Sequence, residues 1–86
     1  MQFEEFVGAV DAAVRTASPV DAFAGPEGKT ARWTTRARNA EVAVVEPRNV
    51  SVTLDGSGKP ETTWYPIDAA LVPVVSRRIA AFLGEA

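Results

Sequence analysis

The sequence predicts an α+β fold: an N-terminal helix, a four-stranded antiparallel meander and a C-terminal helix, with both helices on one sheet face as a two-layer sandwich. Three observations predict it. Apolar residues recur at helical spacing near each end of the chain. They alternate or run in short blocks through the middle. Proline, glycine and asparagine punctuate the joins. At 86 residues the expectation is a single α+β domain over 1–86.

The first helix is read over residues 2–17, where Phe3, Phe6, Val7, Val10, Val14 and Ala17 make one apolar face. Glu4 and Glu5 fall in its first turn, where the helix dipole favours acid, and Ser18-Pro19 stops it. Residues 18–30 hold two prolines and two glycines and read as loop, with Phe23 as an anchor into the core.

Four strands follow, over 31–38, 41–46, 50–55 and 61–65. "PRN" at 47–49 suits a three-residue hairpin, with Pro47 at the first turn position and Asn49 left-handed at the last. That loop pairs Glu46 with Val50, Val44 with Val52 and Val42 with Leu54, so the valines and Leu54 share a buried face. "DGSGKP" at 55–60 is a looser turn that places Thr62 and Trp64 on the same face. The second helix is read over 67–83, capped by Asp68 and stopped by Gly84. Leu71, Val75, Ile79 and Phe82 form its stripe, and Pro73 either kinks it or marks the start of its regular part.

"TARWTTRARNAEV", residues 30–42, carries the candidate binding residues. As a strand it turns Trp33, Thr35 and Ala37 inward and Arg32, Thr34, Arg36 and Arg38 outward. A tight turn at Asn39-Ala40 sets Arg38 across from Glu41. The same outer face would hold Ala43, Val45, Ser51, Thr53, Asp55, Thr63 and Tyr65. One reading is the ordinary wet side of a sheet. The other is a site in which Arg32, Arg36 and Arg38 hold carboxylates or phosphates bidentately, helped by stacking on Tyr65. Trp33, Ala37, Ala40 and Val44 also fit helical spacing; the threonines and Trp33 favour strand.

Composition narrows the function. Cysteine and histidine are absent, so disulfides, thiolate metal sites and the commonest catalytic base are excluded. No two carboxylates share a helix face in an apolar setting, so no enzyme, cofactor or metal is expected. "GPEGKT" lacks the first glycine of a phosphate-binding loop, since Phe23 stands there. The net charge of -2 weighs against nucleic acid without excluding a local basic patch. The opening "MQFEEFVGAV" has acid where a signal peptide wants positive charge, and no apolar run reaches membrane-spanning length. A cytoplasmic protein without a membrane partner is expected.

The helix–strands–helix order is similar in topology to double-stranded-RNA-binding domains. Their lysine-rich start to the second helix is absent here, where Asp68 leads an apolar run and Arg77 and Arg78 sit at the far end.

The expected function is a small non-enzymatic interaction protein, homodimeric, that also binds a further protein. The alternatives are a nucleic-acid-binding module using the arginine face, and a small-molecule binder with a pocket at a dimer interface. Three routes lead to a dimer: the over-apolar segment Leu71, Val72, Val74 and Val75; the Ala43/Val45 centre of the open sheet; and pairing at an exposed edge strand.

Overall fold

The computed structural model describes residues 1–84 other than 47 and 57, with Glu27 as backbone alone. Helix α1 spans Phe3–Ala17. Five strands follow: β1 Ala22–Glu27, β2 Thr30–Thr34, β3 Asn39–Val45, β4 Asn49–Asp55 and β5 Glu61–Pro66. A 3-10 turn, Ala69–Leu71, leads into helix α2, Val72–Gly84. The strands form one antiparallel meander in the order β1-β2-β3-β4-β5. Neither helix is long and apolar enough to cross a membrane.

Each helix start has a local cause. Glu5 Oε1 accepts from the Gln2 backbone N–H, which holds the first turn of α1. Asp68 caps the second helical segment by accepting from Ala70 N at 2.9 Å. Pro73 sits one residue inside α2, so it marks the regular helix's start and does not kink it.

The core joins both helices to one face of the sheet. Phe3, Phe6, Val7, Val10 and Val14 of α1 and Val75, Ile79 and Leu83 of α2 pack with Ala31, Trp33, Ala40, Val42, Val50, Val52 and Leu54. Within each strand those residues share one parity, as burial of a single face requires. Phe23 is the anchor expected of it, with its ring 5.1 Å from that of Trp33.

The sheet has five strands where the sequence predicts four. β1, "AFAGPE", reads as loop in the sequence because Gly25 and Pro26 punctuate it. It lies at the sheet edge, where a strand needs partners on one side only and proline is tolerated. Its register slips between Ala24 and Glu27, at the Gly-Pro pair.

Three register expectations are corrected. β2 ends at Thr34, and residues 35–38 turn back with Thr35 N donating to the Arg38 carbonyl. The turn therefore precedes Asn39, and 30–40 is neither one long strand nor a helix. Val45 pairs with Asn49, Val44 with Val50 and Val42 with Val52, two residues from the expected register. The shift is even, so the buried face survives it. Asn49 is a strand residue and takes no left-handed conformation. Pro47's expected turn position lies outside the described residues. Between β4 and β5 the error is odd. Ser51 pairs with Trp64 and Val50 with Tyr65, so every β5 side chain sits on the face opposite to the one expected.

Candidate functional site

The open face of the sheet is built from alternate residues. Across it run two neighbouring rows. One is Trp64, Ser51, Ala43 and Thr30. The other is Thr62, Thr53, Glu41, Arg32 and Ala24. Val45 continues β3 on the same side. The middle of this surface is made of small side chains, and both helices pack on the opposite side of the sheet.

Trp64 stands at one side of that floor, 65% exposed. The sequence places it in the core beside Val52. The odd register across the β4–β5 turn puts Thr63, and not Trp64, opposite Val52. An exposed tryptophan carries a large apolar surface in water, and protein interfaces use this residue as an anchor more than most.

Polar contacts fix the rest of the face. Arg32 Nη2 donates to Glu41 Oε2 at 2.7 Å across the β2–β3 pair. The expected partner of Glu41 is Arg38; the earlier turn brings Arg32 opposite it instead. Thr53 and Thr62 share a hydroxyl hydrogen bond at 3.0 Å. On this face Ala24, Gly25, Thr30, Arg32 and Glu41 line an open hollow of about 120 Å³.

The expected binding residues do not come together. Of the three arginines, only Arg32 lies on the open face. Arg36 is exposed in the turn after β2. Arg38 reaches the other way, donating from Nη1 to the Phe82 carbonyl at 2.9 Å, with its guanidinium 4.9 Å from the Phe82 ring centre. Tyr65 packs against the core, and its hydroxyl accepts from Arg78 Nη1 at 3.1 Å. Arg78 lies mid-helix and also approaches Glu61 at 3.7 Å, so it bridges α2 to β5 and does not cap a helix end. Arg38, Lys59 and Arg78 line a separate open cleft of about 440 Å³ beside Gly56 and Phe82.

The expected apolar dimer segment is mostly spent on the protein's own fold. Val75 is fully buried, and Leu71 and Val72 pack partly into the core. Val74 alone of the four is exposed, at 46%. Three of the segment's four apolar residues, Leu71, Val72 and Val75, thus serve the core where the 3-10 turn passes into α2.

Trp64 is the surface residue that the sequence reading misses. A usable signal is present. Tyr65 and Ile67 share a parity, and both pack against the core. Reading inward from Ile67 turns Trp64 outward.

No family model matches the chain, and neither a curated protein nor a solved structure matches it.

Proposed function

We propose that this chain is a small non-enzymatic interaction protein of the cytoplasm, and that the open face of its sheet is the recognition surface. The observation that carries the reading is the exposure of Trp64 beside a floor of small residues. Leaving so large an apolar side chain in water forgoes about 2 kcal/mol of burial within the fold. A partner that covers it recovers that contribution. Ser51 and Ala43 next to it let a partner's backbone or side chains approach closely, and the Arg32–Glu41 pair and the Thr53–Thr62 bond form a polar border. The arginine row on which a nucleic-acid reading rests is reduced on this face to Arg32, itself paired with a carboxylate. A protein partner is the better fit.

The test is photo-crosslinking in the cells that make the protein. A photoreactive residue at Thr62, beside Trp64 on the open face, is compared with one at Arg77 on the exposed helix side. Discrete protein adducts from position 62 and none from 77 support the reading. Equal adducts from both positions, or none from 62, contradict it.

A further inference from the structure

We infer that the occupant of this face is a second copy of the chain, docked face to face, with each Trp64 seated in the hollow beside its partner's Arg32. The inference rests on the reading of the open face as the recognition surface, and it names the partner.

Position carries the argument. The central strand is β3. Trp64 lies two strands to one side of it, in the row that continues through Ser51 and Ala43 to Thr30. The hollow lies on the other side, lined by Ala24 and Gly25 of β1 and Thr30 and Arg32 of β2, with Glu41 of β3 itself completing it. A two-fold axis along β3, in the plane between two facing sheets, exchanges the two sides. It leaves height along the strands unchanged. The projecting indole of one copy then meets the Thr30 end of the same row in the other, where the hollow is. The second indole does the same in return, so both contacts form in one isologous arrangement. Aligned sheet-on-sheet packing has this geometry, and sheet twist rotates it by about 30°.

Three further features favour a copy of this chain. The hollow, at about 120 Å³, is on the scale of one indole. The Arg32 side chain that lines it is 57% exposed and can present a cation to the ring face. In the middle of the face the charges close on each other as the Arg32–Glu41 pair, and Asp55, opposite Asn39, lies at its far end, so two copies do not repel at the centre. Pairing at an edge strand is disfavoured, because both edge strands contain proline, Pro26 in β1 and Pro66 in β5.

Area sets the strength. Strands ~4.8 Å apart with a rise of ~3.3 Å per residue give a five-stranded face of roughly 480 Å² per copy. A pair buries roughly 1,000 Å², the lower limit for a specific interface, so a weak, reversible dimer is expected.

Sedimentation velocity tests this from low micromolar to millimolar concentration, on the whole chain, Trp64→Ala, Ala24→Trp, and an equal mixture of the two variants. The parent chain should dimerise within that range. Trp64→Ala removes the knob and Ala24→Trp fills the hollow, and each should weaken dimerisation at least ~ten-fold. The mixture should associate more tightly than either variant alone, because Trp64 of one chain still meets an intact hollow in the other. If Ala24→Trp does not fold, mapping the self-adduct of the Thr62 photo-crosslinker replaces it, and attachment near Ala24 or Thr30 is the supporting result. A dimer unaffected by Trp64→Ala overturns the proposal, as does a mixture no tighter than its components. A monomer at every concentration whose position 62 crosslinks a different protein overturns the second copy and leaves the recognition face standing. A monomer with no adduct at position 62 removes both.

Discussion

The indole nitrogen of Trp33 donates a hydrogen bond to Asp11 Oδ1 at 2.8 Å, and that bond fastens the sheet to the first helix. Trp33 is fully buried, so its N–H has to find an acceptor inside the protein. Asp11 also pairs with Arg15 one turn along α1. Asp11→Ala should therefore cost about 1–3 kcal/mol, because it strands a buried donor. Asp11→Asn keeps an acceptor and should cost less. Urea unfolding measures both. A double-mutant cycle with Trp33→Phe should show coupling of at least about 0.5 kcal/mol, and additive effects would count against the bond.

Two glycines should respond in opposite directions to alanine. Gly25 has φ +113°, and a Cβ there would come within 2.8 Å of the Thr30 carbonyl oxygen. Gly25→Ala should cost more than about 1 kcal/mol and lower the thermal midpoint by several degrees. Gly8 lies exposed on α1, and a methyl group added there would meet nothing within 4 Å. Gly8→Ala should add about 0.5–1 kcal/mol through helix propensity. Calorimetry on the two variants checks the contrast.

Neighbouring valines on α2 should separate core from surface. Val75 is fully buried and Val74 is 46% exposed. Val75→Ala should cost about 2 kcal/mol from two lost methyl groups and the space they leave. Val74→Ala should stay within about 0.5 kcal/mol of the parent. Equal losses in denaturant titrations would mean that a partner covers Val74.

Arg38 should act as a tie at the end of α2. Its bond to the Phe82 carbonyl and its place over the Phe82 ring join the β2–β3 turn to the helix's last turn. Arg38→Ala should cost about 1–2 kcal/mol. Faster amide hydrogen exchange confined to the end of α2 is the expected signature, and unchanged exchange there would contradict it.

Trp64 should be dispensable for folding. It lies 65% exposed, and Trp64→Ala should change monomer stability by no more than about 0.5 kcal/mol. Acrylamide should quench Trp64 in dilute solution and leave Trp33 emission nearly untouched. A large stability loss would show that Trp64 packs into its own fold.

Much of this fold is legible in the sequence. Helix α1 follows from the spacing of Phe3 to Val14, and α2 from Asp68, Pro73 and the apolar stripe around Val75 and Ile79. The buried face of β3 and β4 survives a wrong hairpin register because the slip is even. The candidate site is less legible, because it depends on turns. A turn that comes early takes Arg36 and Arg38 off the face, and an odd register across residues 56–60 exchanges Trp64 for Tyr65. β1 is hidden because pairing with β2 outweighs the loop signal of Gly25 and Pro26. Short glycine-rich loops admit several lengths of pairing, and local propensity does not choose among them.

Docking of two copies through the open face is tested most directly by a pair of nitrogen–proton correlation spectra of the purified chain, one at low micromolar and one near millimolar concentration. For a face-to-face dimer, the Trp64 indole resonance and the amides of Ala24, Thr30, Ala43 and Ser51 shift on concentration, while the Trp33 indole and the residues of α1 and α2 stay in place. Shifts centred on α2 around Val74, or a Trp64 indole resonance that does not move as the mass doubles, would contradict it.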